Sequence, residues 1–407
     1  MHERRGPVTS TIKSTSLLVL ALGVALLVVS QPLAQQLSGD LGGDLSAAVL
    51  RGAIEQTLTV APRGFERLVS PAQAGVRVNR VNVERVTPRL PRVRIDLSQR
   101  ALTYDPSGDG ELLTDQILSS LAPHTTAAGD VTFQFTVDGL PLDQFVPQPA
   151  PPRLRTRELQ PRGPLVISAG HGWYWNETWG WLLQRDHFWG IVEDVVNWEI
   201  ARYVLDELSG ARIGARAARH PDATTGVGIS GRPQWQESAK YFIRSLGAPP
   251  NVSDFGRNEY NRDINSRPFY ANWVDATALV SIHNNGGGGT GTETWYDETN
   301  GQAYESRRLA QIVNDAVVQA IRAHYDPNWP DRGLRSCNGC KGETRLAARP
   351  AIILEVAFMD MAWPDNAALH DDRFKRIVAQ AVREGLQAWG GMPATPAPPP
   401  DDFTKGF

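Results

Sequence analysis

Sulfur is scarce in this chain of 407 residues: four Met and two Cys, and the two, Cys337 and Cys340, are close neighbours. A disulfide framework is therefore excluded as the source of stability. Charge of one sign is missing too. The formal net charge is −3, charged residues make up 21%, and no basic excess points to nucleic acid. The apolar run at 17–29 is shorter than the ~20 residues that span a bilayer comfortably. It follows Arg4, Arg5 and Lys13 and precedes Ser30, Gln31 and Ala34. That layout describes a secretory signal. Residues 1–34 are expected to be a signal peptide or a membrane anchor, with the bulk of the chain exported.

What the chain does have is Trp, Pro and Gly. Of twelve Trp, half lie between Trp173 and Trp198, a local surplus, while many of the 29 Pro and 37 Gly fall in connecting stretches. Residues 35–75 read as a mobile or marginally helical spacer, with Leu37, Leu41, Leu45, Val49, Leu50 and Ile54 in weak amphipathic order. A small α/β domain is expected at 76–146. Val93, Ile95 and Leu97 alternate with polar residues, as does the run 131–137, helical spacing lies between them, and Asp138-Gly139 makes a turn. A Pro-rich linker at 147–162 precedes the main domain at 163–390, and 391–407 is a Pro-rich tail.

In the main domain three apolar runs without alternation, near 165–168, 277–282 and 351–354, read as strands covered on both faces. Helical segments at 192–208, 304–323 and 374–389 separate or follow them. The expected fold is α/β: a twisted, mostly parallel or mixed sheet flanked by helices, preceded by the small α/β domain. Such folds place ligands beyond the strand ends. His171, His283 and Glu355 stand at those ends, and Glu193 in the first turn of a helix can lean toward them. Two imidazoles and a carboxylate are a common ligand set of hydrolytic zinc sites. A second carboxylate then serves as general base. Glu199, on the same helix, lies off the Glu193 stripe and reads as a solvated surface group.

The segments SAGHG (168–172), EDVVNWEIA (193–201), RPFYAN (267–272), LVSIHNN (279–285) and ILEVAF (353–358) resemble, in order, those of the zinc-dependent N-acetylmuramoyl-L-alanine amidases of the type-3 amidase family. The resemblance covers about 164–389. It implies one zinc ion per chain held by His171, Glu193 and His283, Glu355 as catalytic base, and peptidoglycan as substrate, cut between the lactyl group of N-acetylmuramic acid and L-alanine. Arg267 and Asn272, with Asn284, are expected to support the site or touch substrate. The family usually has an acidic residue where Ser168 stands, which leaves the outer support of His171 open; such support commonly changes metal affinity about 10–100-fold. It also usually has Gly where Trp173 and Ala357 stand.

The stretch 224–263 is longer than usual for the family and is expected to narrow substrate choice or cover the metal. Trp175 and Trp179, in a loop-like composition, read either as core or as a glycan-gripping surface. Cys337-Asn338-Gly339-Cys340 allows a redox pair, half a metal site or a disulfide clip, the last favoured in an oxidising compartment. No chemistry is expected from 76–146, only a structural or wall-docking role. The rival to an enzyme is a wall-binding module without activity, and metal content separates the two.

Overall fold

The computed structural model describes residues 45–61, 69–87, 90–104, 110–146 and 163–392. The expected signal or anchor, the linker and nearly all of the tail lie outside the described residues.

The expected spacer contains helix α1 (Ala47–Thr57), capped by the Ser46 side chain, which accepts from the Val49 amide. Leu50 and Ile54, one turn apart, are buried with the strands that follow. Of the two readings of this spacer, mobile or marginally helical, this part takes the second: a stripe of Leu and Ile one turn apart is stabilised once a sheet is there to cover it.

Strands β1 (Val78–Thr87) and β2 (Leu90–Leu97) pair antiparallel. Helix α2 (Glu111–Thr125) leads to β3 (Val131–Val137), which lies parallel to β2. Asp138 and Gly139 both have positive φ, 46° and 83°. That is the mirror-image turn a tight hairpin favours, and it returns the chain along β4 (Leu140–Pro141).

After the linker come β5 (Leu165–Ala169) and two small hairpins, β6 (Tyr174–Asn176) with β7 (Gly180–Leu182) and β8 (His187–Phe188) with β9 (Ile191–Val192). Helix α3 (Glu193–Gly210), β10 (Ala215–Ala217), α4 (Ala239–Ser245) and α5 (Glu259–Trp273) follow. The remainder alternates β11 (Ala278–Asn285), β12 (Thr292–Asp297), α6 (Ala303–His324), β13 (Asp331–Cys337), α7 (Gly342–Arg345), β14 (Ala351–Phe358) and α8 (Asp372–Gly390).

One sheet runs through the described residues in the order β1-β2-β3-β13-β12-β14-β11-β5-β10, with β4 beside β3. It is parallel except at β1/β2, β3/β4 and β12/β14. The segment 76–146, expected to stand as its own small domain, is joined to the rest. Its β3 lies parallel to β13, with Val131 opposite Arg335 and Phe133 opposite Cys337. Without β3, β13 would be a bare edge with unpaired amides and carbonyls.

Helices α3, α6 and α8 cover one face, and their Val204, Val317 and Val382 share a core with Val280, Ile282, Leu354 and Val356. On the other face α1 and α2 pack over Val93, Phe133, Trp295 and Ile353. There α5 covers Val166 and Leu279 with Tyr270. Alternation along β11 and β14 therefore turns Ser281, His283, Ile353 and Glu355 toward α2 and α5. Periodicity does not reveal α5, because Asn261, Asp263, Asn265 and Arg267 occupy buried positions of a helix that also contains Pro268.

Candidate metal centre and catalytic carboxylate

The carboxyl ends of β5, β11 and β14 lie side by side. His283 stands opposite Glu355 in parallel register, and Ile282 stands opposite Ala169. His171 follows β5 in a left-handed conformation, φ 62°. Gly170 allows the two histidines to approach: a Cβ there would lie 2.4 Å from the His283 ring. The rings meet edge to face with centroids 4.7 Å apart.

Glu193 opens α3, where a carboxylate is favoured by the helix dipole. Its Oε1 lies 3.1 Å from His171 Nε2 and 3.4 Å from His283 Nδ1. One ligand atom from each of the three residues falls within 4.8 Å of the others, and all three residues are buried. Zinc bonds to nitrogen and oxygen of about 2.0–2.2 Å place tetrahedral ligands roughly 3.4 Å apart. The donor set and its spacing therefore fit such an ion.

Each histidine's outer nitrogen is held. His171 Nδ1 faces Gln184 Oε1 at 2.8 Å, and Gln184 Nε2 donates to Asp263 Oδ2 at 2.7 Å. His283 Nε2 faces Glu343 Oε1 at 3.1 Å, and Ser281 Oγ donates to the same carboxylate. Arg267 joins the two chains, donating to Asp263 at 2.6 Å, to Glu343 at 2.5 Å and to the His171 carbonyl at 3.2 Å. Asp194 ties the His171 loop and Gln184 to the start of α3 by accepting from the Gly172 and Gln184 amides. Asn197, one turn after Glu193, donates to Glu193 Oε1 at 3.1 Å, and Asn284 donates to Asn197 at 2.8 Å.

Gln184, Asp263 and Glu343 escape sequence reasoning because none lies in a recognisable segment. Ser168, at the position usually acidic, makes no hydrogen bond through its buried hydroxyl. Gln184 occupies the outer nitrogen of His171 instead.

Burial lowers the His171 pKa, which keeps that ring neutral. Burial opposes charge on His283 as well, but Glu343 and Glu193 carry its pKa up to about 9. Glu193 is held well below the usual carboxylate range: burial works against this, and His171 and His283 outweigh it. Glu355 goes the other way. Burial pushes it up to about 7, against the pull of His283 and Lys341.

These groups line a cavity of about 190 Å³ together with Arg185, Asn284, Lys341 and Asp360. One wall comes from α2, through Glu111, Asp115 and Ser119. This was unforeseen, since no chemistry is expected of that segment. The stretch 224–263, expected to narrow or cover the site, contributes no lining residue. It braces the β6/β7 hairpin instead: Trp173 pairs with Gln236 and Ser238, and Tyr241 accepts from the Trp175 amide.

Trp175 and Trp179 are exposed on that hairpin and outside the cavity. Asn272 also stands away from the cavity, where it secures the Leu346 carbonyl and the Ala348 amide. Glu199 pairs with Lys375 at 2.7 Å. Cys337 and Cys340 form a disulfide, both buried, just ahead of Lys341 and Glu343. Among the described residues no helix is long and apolar enough to cross a membrane.

No curated protein matches the chain. Several solved structures are similar to it in part. An N-acetylmuramoyl-L-alanine amidase from Clostridium difficile 630 shares 19% identity over 57% of this chain and 98% of its own, with a TM-score of 0.40. The catalytic domain of an N-acetylmuramoyl-L-alanine amidase from Bacillus (Paenibacillus) polymyxa var. colistinus shares 22% over 57% and 99%, at 0.38. A third, from Nostoc punctiforme, shares 20% over 56% and 96%, at 0.37. Residues 165–388 match the Amidase_3 family of N-acetylmuramoyl-L-alanine amidases, a span that contains all four residues of the centre, and the chain belongs to that family.

Proposed function

We propose that the chain is a zinc-dependent hydrolase that cuts the amide between the lactyl group of N-acetylmuramic acid and L-alanine in peptidoglycan, acting in the cell envelope. The observation that carries this is the meeting of His171, Glu193 and His283 within 4.8 Å, beside a carboxylate whose pKa burial raises to about 7. A zinc ion held by His171 Nε2, Glu193 Oε1 and His283 Nδ1 would supply Lewis acidity and lower the pKa of a coordinated water toward roughly 7.

The chain's own groups do the rest. Glu355 Oε2, buried and without a hydrogen-bond partner, takes the proton of the attacking water and delivers it to the departing L-alanine nitrogen. Gln184 and Glu343 fix which nitrogen of each imidazole faces the ion. Gln184→Leu should weaken metal affinity about 10–100-fold, read by competition with a chelator; an unchanged affinity would remove Gln184 from this role.

Digestion of purified sacculi tests the whole assignment. New L-alanine amino termini should accumulate, vanish on chelation and return with zinc. Release of any other terminus would sink the bond assignment, and indifference to chelation would sink the metal.

A further inference from the structure

The cavity is rich in carboxylates, and nearly every one is engaged. Glu343 is paired with Arg267, Asp360 accepts from the Gly287 and Gly288 amides, and Glu111 accepts from the Gly342 amide. Glu193 lies between the two histidines. Against these stand two permanent cations among the described lining residues, Arg185 and Lys341. Lys341 Nζ is held by Asp115 at 2.7 Å and lies over the Trp295 ring at 5.0 Å.

Arg185 is held more loosely. Its hydrogen bonds go to the Gln184 carbonyl at 3.3 Å and the Tyr260 hydroxyl at 3.1 Å. Its two carboxylate neighbours are farther than a close ion pair, Glu193 at 3.5 Å and Asp115 at 3.9 Å. A guanidinium is a planar fork suited to one carboxylate in two parallel hydrogen bonds. None of the contacts named here uses it that way.

We propose that Arg185, with Lys341 behind it, receives the substrate carboxylate nearest the scissile amide, that of the isoglutamate that follows L-alanine in a stem peptide. This rests on the cavity being the muramoyl-peptide site proposed above. The reach is suitable. Arg185 Nε stands 3.5 Å from Glu193, at the centre of the cluster, and two extended residues span roughly 7 Å. Glu111, Asp115, Glu193, Glu343, Glu355 and Asp360 also line the cavity, so Arg185 and Lys341 are the lining groups that favour a further carboxylate. Asp115 plays the competing part: it belongs to α2, outside the family match at 165–388, and faces both cations. The N-terminal segment thereby sets how strongly the site demands a negative charge.

The test compares the full-length, zinc-loaded protein on N-acetylmuramoyl-L-alanyl-D-isoglutamate and on the same compound carrying isoglutamine, which lacks the α-carboxylate next to L-alanine and keeps the γ-carboxylate. The expected kcat/KM is roughly tenfold or more higher for the acid. Calorimetry on the two product dipeptides should show the same preference in Kd, which is independent of turnover. Arg185→Met should abolish the preference, whatever it does to the overall rate, and Asp115→Asn should increase it. Should Arg185→Met fail to fold, the wild-type comparison and Asp115→Asn still decide. Equal kcat/KM and equal Kd for acid and amide, or a preference for the amide, would overturn the proposal while leaving the amidase assignment standing. Dipeptides that bind with the acid preferred, with neither substrate cleaved, would keep the subsite and defeat the proposed function.

Discussion

Glu355→Gln should lower kcat about 10²–10⁴-fold with one zinc still bound per chain. The substitution keeps the shape of the side chain and removes its capacity to take a proton. Glu355 contributes no ligand atom to the cluster of His171, Glu193 and His283, so metal content should not change. The pH profile of the parent enzyme supplies the complementary measurement. Burial pushes the Glu355 carboxyl up to about 7, and the base works only when deprotonated. Activity should therefore fall on the acid side, approaching tenfold per pH unit. A bound dication would favour the carboxylate form, so the midpoint should lie at or below 7. The Gln variant should lose this limb. A variant that kept more than a tenth of the parent rate, with the limb intact, would take the base role from Glu355.

Arg267→Leu should be the most destabilising of the single substitutions considered, by about 3–5 kcal/mol at neutral pH, with a Tm lower by roughly 10 °C. Arg267 is fully buried between Asp263 and Glu343. Removing it leaves two buried carboxylates without their cation. In the parent protein burial would raise the Glu343 carboxyl, but Arg267 and His283 hold it well below its ordinary 4.5. A depressed folded-state value contributes stability that is present above the ordinary value and lost as pH falls toward the depressed one. The deficit of the variant should thus be full at neutral pH and shrink below about 4.5. Denaturant unfolding at pH 7 and at pH 4 measures both numbers. A deficit that did not shrink in acid would mean that Arg267 contributes packing rather than charge.

How much of this was legible beforehand follows from where each side chain sits. The three strands that carry or precede His171, His283 and Glu355 are apolar on both faces, so their runs stand out, and helices α3, α6 and α8 show their buried stripe in the spacing of Val, Ile and Leu. Glu193 was legible because a first-turn carboxylate beside the buried face of a helix can lean toward the strand ends, and because the segment it opens resembles that of the family. Helix α5 was not legible. Several of its buried positions carry Asn, Asp and Arg in place of apolar residues: Asp263 and Arg267 support the histidines, and Asn261 and Asn265 tie the helix to the loop before it. Gln184 and Glu343 were hidden for a related reason: a single polar residue in a loop has no period, and only its neighbours in space give it a role. The segment 76–146 showed its own strands and helix correctly as a pattern, yet nothing local announces that β3 will pair with β13 or that α2 will wall the cavity.

The amino-acid order alone determined the sheet-and-helix alternation and pointed to three candidate groups at the strand ends and a fourth in the first turn of a helix, since periodicity and ligand chemistry are local properties of the chain. Only the tertiary structure decided which residues stand behind those groups, and that a helix from outside the matched span brings Asp115 against Arg185 and Lys341. Such contacts join positions 70 and 226 residues apart, and long-range pairing is set by the packing of whole faces, which no short stretch of sequence encodes.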